Sequence, residues 1–446
     1  MNLSASPARR PRGATVCCLV SLLALSACAS QMHTGDRNAF LTQLNAGDYP
    51  GAAATADQAG AIAADGQTRN LVWALNAGSA HFDAGDMKRS VAELDTVEKL
   101  AQADNLDHMK AAADYHFTTY DGVMANTYKA LAFLAQGDKA NARVEFNRAE
   151  DRQRRAEEEF QEEAAKHPQG QGAEFNQLMQ TAEANPEYRQ AEQHLGALAA
   201  YAPFQNPFET YLAGVFSLTN GDFDQGINRL SRAAVMLGPQ SPAASDLAWA
   251  QSAHGEGAAS LPPQVWVVFE NGQSATYAET RIVLPMITGA PMTLALPVLM
   301  QNPPAAPFIS AATKTETVQT RPAGSFDAVM AAEFDRRQPE IMAEAILEIV
   351  AKNAAAKAAQ NSNNQFVGLL TNIAANVSTA DTRSWIGLPK EFQVARLAAP
   401  ADGHVQITEA NGRPLGVAVV PTGTSSVVFV KMQAPGAPPA VEVAPL

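Results

Sequence analysis

Apolar residues recur at helical spacing through the first half of the chain and alternate, or run unbroken, through much of the last third. The pattern is clearest around residues 120–160. Met124, Tyr128, Leu131 and Ala135 lie three and four apart, so one apolar face runs down this segment. Gly137 then supplies a left-handed residue that ends a helix cheaply, and Asp138 is placed to cap the next one. Ala142, Phe146 and Ala149 follow at spacings of four and three, giving a small-large-small face. The segment therefore predicts two antiparallel helices joined by a Gly-Asp turn. Such a hairpin leaves its outer apolar surface bare and needs a neighbour to stack on.

The same turn recurs at Gly47, Gly85 and Gly221, each followed by Asp. A small residue precedes three of the four turns by seven positions: Gly78, Ala130 and Gly214. Leu94, Phe146 and Leu230 follow their turns by nine positions, and Ala149 and Ala233 follow theirs by twelve. With small residues at the crossings and a large one between, the pattern resembles tetratricopeptide repeats, although its intervals are uneven. An irregular helical bundle is the alternative. Residues 36–258 are thus expected to be a tetratricopeptide-like helical domain with a charged helical insertion at about 150–203. In the insertion, Glu150 and Arg154, like Asp151 and Arg155, are pairs of favourable polarity four apart. That stretch predicts a solvated helix projecting from the body, or else a docking arm for a basic partner.

After a Gly- and Pro-rich linker the period changes. Val265–Phe269 reads as a buried strand, with a hairpin turn at 270–273 leading to a partner strand at 276–284. Residues 285–307 carry several prolines and predict edge strand and loop. Another strand is expected at 314–321. A strong helix at 325–360, with Pro339 inside it, a shorter helix at 366–377 and four strands between 392 and 431 complete a mixed domain over 262–434. Residues 435–446 predict a fraying tail. The fold class is therefore helical hairpins followed by a smaller, mixed, mainly antiparallel β domain with one long helix.

The chain begins with Arg9, Arg10 and Arg12, then an apolar run too short to span a bilayer. The run ends in Leu25-Ser26-Ala27-Cys28, which resembles the bacterial lipobox. This makes 1–27 a signal peptide and 28–35 a lipidated tether; an ordinary secretory signal is the alternative. By that resemblance Cys28 carries acyl chains, each buried methylene contributing about 0.8 kcal/mol to membrane anchoring. Ala29 follows where an inner-membrane retention signal would place Asp, implying the outer membrane and a periplasmic body. The other two of three cysteines, Cys17 and Cys18, fall inside the signal, so the mature chain would form no intrachain disulfide. Several stretches together resemble a family of uncharacterised bacterial lipoproteins with a tetratricopeptide-like N-terminal region. They are VEFNRAEDRQRRA (144–156), FENG (269–272), SFDAVM (325–330), and the ADTRSW and LPKE segments (380–391).

A net charge of -13 argues against nucleic acid as a partner. None of the eight histidines forms a His-Glu-x-x-His pair, and no phosphate loop or nucleophile elbow is present. Asp107, His108, Asp114 and His116 are the nearest thing to a metal cluster, and they lack a third ligand at helical spacing. No cofactor, metal or catalytic residue is expected. Glu333, Asp335, Glu340, Glu344 and Glu348 offer carboxylates for glycan cleavage, but an amphipathic helix must carry charge on its polar face anyway. Asp381, Arg383 and Trp385 form the best polar-aromatic cluster. Arg383 is expected to pair with Asp381 and stack on the indole, either locking the linker to the sheet or meeting a partner. The sequence thus points to an outer-membrane-anchored scaffold whose concave helical platform binds periplasmic or outer-membrane proteins. A regulator of a peptidoglycan synthase and a cell-wall glycan hydrolase are the rivals.

Overall fold

The computed structural model describes residues 32–60, 70–104, 115–166, 173–255, 261–284, 292–360 and 380–446. Cys28 with its signal segment, the Asp107–His108–Asp114 group and the helix expected at 366–377 lie outside these residues. The helical half comprises α1 (Thr34–Ala46), α2 (Tyr49–Ala59), α3 (Leu71–Asp83), α4 (Met87–Asp104), α5 (Thr119–Ala135) and α6 (Lys139–Lys166). It continues with α7 (Ala173–Ala184), α8 (Pro186–Leu198), α9 (Pro207–Thr219), α10 (Phe223–Leu237) and α11 (Pro242–Gly255).

Gly47, Gly85, Gly137 and Gly221 all have left-handed φ, between 71 and 80°. At each turn the Asp N–H reaches back to a carbonyl of the preceding helix, as with Asp138 to Phe133 O at 2.8 Å, closing a Schellman motif. The Asp carboxylate then caps the next helix; that of Asp138 accepts from Asn141 N–H at 3.0 Å. Between the paired helices, small residues allow close approach. A Cβ on Gly78 would lie 2.6 Å from the Leu94 side chain, and one on Gly214 3.0 Å from that of Leu230. Ala142, Phe146, Ala149, Leu230 and Ala233 are fully buried.

The second half carries β1 (Gln264–Asn271), β2 (Thr276–Leu284), β3 (Met292–Met300), β4 (Ile309–Ala312), β5 (Thr317–Gln319) and β6 (Arg321–Ser325). The long helix α12 (Phe326–Gln360) follows, then β7 (Glu391–Ala398), β8 (His404–Glu409), β9 (Pro414–Val419), β10 (Ser426–Met432) and β11 (Ala440–Pro445). A central sheet runs β11-β10-β1-β7-β6, a second β5-β4-β8-β9, and β2-β3 stand as a hairpin. All pairings are antiparallel except β1 with β10.

The result is three layers: helices, central sheet, second sheet. One face of the central sheet (Trp266, Val268, Phe392, Phe429) shares a core with the helices, and the other (Val265, Val267, Val428, Val430) packs on Val405 and Ile407 of the second sheet. This explains why β1 is apolar without alternation: both of its faces are covered. It also explains why the innermost helices have no polar side. In α3 every residue except His81 is buried, and in α9 every residue except Thr219. The boundary near 258–262 is thus one of composition, and the core runs across it.

Several expectations are corrected. The turn at 270–273 does not join β1 to β2, because β1 needs two buried neighbours and finds them in β10 and β7, while β2 pairs with β3. Much of the Pro-rich stretch forms β3, with Pro297 tolerated because its strand has a single partner. The C-terminal residues do not fray: β11 pairs along β10, and Leu446 is buried. The charged part of α6 does not project on all sides, since Gln153, Ala156 and Phe160 are buried beneath it. There Glu150 pairs with Arg229 at 2.6 Å and with Arg232 rather than with Arg154, which takes Asp151 instead.

Candidate functional site

Charged side chains are buried between the helices and the central sheet. Glu270 and Lys431 end apolar strands and face each other in the parallel register of β1 and β10. Lys431 Nζ lies 2.9 Å from Asp83 on α3 and 3.6 Å from Glu270, and it donates to the Gly387 carbonyl. Tyr128 of α5 donates to Glu270 at 3.0 Å, and Tyr49 of α2 donates to the Lys431 carbonyl at 3.2 Å. Burial, together with the like charge of Glu270, pushes Asp83 up to about 7 despite its ammonium partner. Burial opposes charge on Lys431, but Asp83 and Glu270 more than offset it, so its value rises. All three charged groups are 3% exposed or less. The cluster joins layers and is closed to a substrate.

Three further clusters do similar work. Asp246 on α11 accepts from Tyr211 at 2.7 Å, the Trp266 indole at 2.8 Å and Arg396 at 2.8 Å, tying helices to β1 and β7. Glu333 is not on a solvent face of α12. It is 1% exposed and accepts the N–H groups of Thr119 and Tyr120 at 2.8 and 3.0 Å, satisfying the free donors at the start of α5. That removes it from any pair of glycan-cleaving carboxylates. Lys129, 2% exposed, sits among Asp95, Glu98 and Glu145 within 3.4 Å and welds α4, α5 and α6.

The predicted trio is divided. Arg383 does pair with Asp381, at 2.7 and 2.9 Å, but lies over the Tyr115 ring rather than on the indole. Trp385 is 1% exposed and donates its indole N–H to Ser79 on α3 at 2.8 Å, while Asn76 accepts from Gly387 N–H at 3.0 Å. The segment is therefore locked both to a helix and to the sheet, since Lys431 of β10 holds the Gly387 carbonyl and Lys390 N–H donates to Asn271 O at 3.1 Å, and Trp385 cannot meet a partner in the folded chain. Among the described residues no group of His, Cys, Asp and Glu could hold a metal ion, and no helix is long and apolar enough to cross a membrane.

Among the described residues a wedge of about 350 Å³ opens between α8 and the β2–β3 hairpin, closed at one side by α12. Ala191, Leu195, Val298, Met300 and Phe334 give it apolar walls. Glu187, Gln190, His194 and Gln338 stand at its polar margin. Met300 is 54% exposed, unusual for so large an apolar side chain. The wedge exists because Pro186 starts a new helix after Asn185, redirecting the chain between α7 and α8. The wedge was not readable from the sequence, since its walls come from three distant segments. Such a site can bind by shape and apolar contact.

No protein-family model matches the chain, and no curated protein matches it.

Proposed function

We propose that the chain is an outer-membrane-anchored periplasmic lipoprotein that binds other envelope proteins and carries out no reaction itself. In this reading acyl chains on Cys28 hold it to the membrane, and its helical hairpins are of tetratricopeptide type. The left-handed Gly turns and the Gly78–Leu94 and Gly214–Leu230 crossings support that type. The observation that carries the binding role is the contrast between closed and open sites: the ionisable clusters are spent on holding layers together, while an apolar wedge stays open. Binding therefore falls on the outer surface, not on the helix face that shares a core with the sheet.

Two measurements test this. Globomycin treatment is expected to leave an acylated but uncleaved precursor, and Cys28→Ser a precursor without acyl label; unchanged processing would end the lipoprotein reading. A photo-crosslinker at Met300 is expected to trap specific envelope proteins in cells, in a pattern lost when Ala191→Trp fills the wedge. A pattern indifferent to that substitution would remove the wedge from the binding role.

A further inference from the structure

The wedge beside α8 has a chemistry that narrows what fits it. Its volume of about 350 Å³ suits one bulky aromatic side chain or two aliphatic ones. Its lining carries one carboxylate, Glu187, and neither Lys nor Arg. The surroundings add to that sign. Tyr188, buried beside the wedge, is raised by burial and then by Glu192, Glu183 and Asp335, with no cation acting against them. The nearby basic groups are turned elsewhere. Arg336 pairs with Glu157 at 2.8 Å and covers the Phe160 ring, Arg337 pairs with Glu333 at 3.2 Å, and Arg189 donates to the Glu183 carbonyl.

A slot with apolar walls and a carboxylate at its margin is complementary to a cationic amphipathic segment. We infer that the wedge docks a peptide segment of a partner protein in which a bulky apolar side chain is flanked by lysine or arginine. The apolar side chain would fill the space between Ala191, Val298 and Phe334, with Met300 folding over it. The flanking cations would meet Glu187 and the field of Glu183 and Asp335. The net charge of -13 would draw such a segment in from a distance. Neutral or acidic apolar segments fit the slot but not its margin, so selectivity comes from charge and residence from burial.

This inference rests on the reading of the chain as a binding protein. Its test uses the full chain in phosphatidylcholine nanodiscs, with empty discs as the blank. Fluorescence anisotropy is read for a labelled Lys-Trp-Lys-Leu-Lys peptide and for its counterpart with Glu in place of each Lys. The cationic peptide is expected to bind with Kd about 10–100 μM and the acidic one at least about tenfold more weakly. Glu187→Lys and Ala191→Trp should each weaken the cationic peptide about fivefold or more. Met300→Arg, at an exposed position that leaves the core intact, should do the same. Equal binding of the two peptides, or binding that survives both Ala191→Trp and Met300→Arg, overturns the inference. If the peptides fail while Met300 still crosslinks specific partners in cells, the partner class is wrong and the binding role stands.

Discussion

Removing the ammonium from the buried junction of Asp83, Glu270 and Lys431 should destabilise the protein in a pH-dependent way. Lys431→Met keeps most of the side-chain volume, so the effect isolates charge. In the intact chain Asp83 is pushed up from 3.8 to about 7. An acid whose folded-state value lies above its unfolded one contributes fully below about pH 4 and loses that contribution as pH rises through 7. At roughly 1.4 kcal/mol for each unit, the Asp83 shift alone corresponds to a loss of about 4 kcal/mol between acid and pH 8. Without Lys431 both carboxylates lose their cation, and their values move higher still. The variant should therefore be about 3–5 kcal/mol less stable at pH 8, shrinking to about 1–2 kcal/mol at pH 5, where both acids take protons rather than stay charged. Urea unfolding followed by tryptophan emission reads this directly, because Trp73, Trp266 and Trp385 are all buried around the same core. Adding Glu270→Gln to the variant should recover part of the loss at pH 8. A deficit below about 1 kcal/mol at pH 8, or one equal at both pH values, would refute the assignment of the cluster as an ion pair with one carboxylate in excess.

Other outcomes follow from the same structure. Burial also pushes Asp121 and Glu209 up to about 7, so the intact protein should melt at a higher temperature near pH 5.5 than at pH 8; a flat profile would contradict this. Glu333→Ala should cost about 2–3 kcal/mol by stripping the acceptor from two N–H groups of α5, and a thermal midpoint within error of the parent would show the cap to be idle. Gly78→Val should cost about 1–3 kcal/mol through collision with Leu94, whereas Gly137→Ala, with open space around it but φ of 79°, should cost about 1 kcal/mol. Deleting residues 435–446 should lower the thermal midpoint by about 5 °C or more, because β11 covers one side of β10; no change would restore the frayed tail.

The structure clarifies which errors the sequence invited. Glu333 and Trp385 look like surface chemistry because each stands beside polar residues in the chain, yet each is buried against a helix more than two hundred positions away. Glu270 and Lys431 carry a signal, a charge at the end of an apolar strand, but nothing local says that they share a register. The β1–β2 hairpin fails for a related reason. A plausible turn at Gly272 is outweighed because both edges of β1 are already taken, by β10 and β7.

Local chemistry is legible in the residues themselves. The Gly-Asp turns and the small residues at helix crossings depend on backbone sterics and on partners a few positions away, so the chain alone determined them. Which strands pair, what packs on the inner face of the helical layer, and where an apolar wedge is left uncovered depend on residues far apart in sequence. There the covering of each apolar face and the pairing of each buried charge are settled by the whole molecule at once, and only the tertiary structure could decide them.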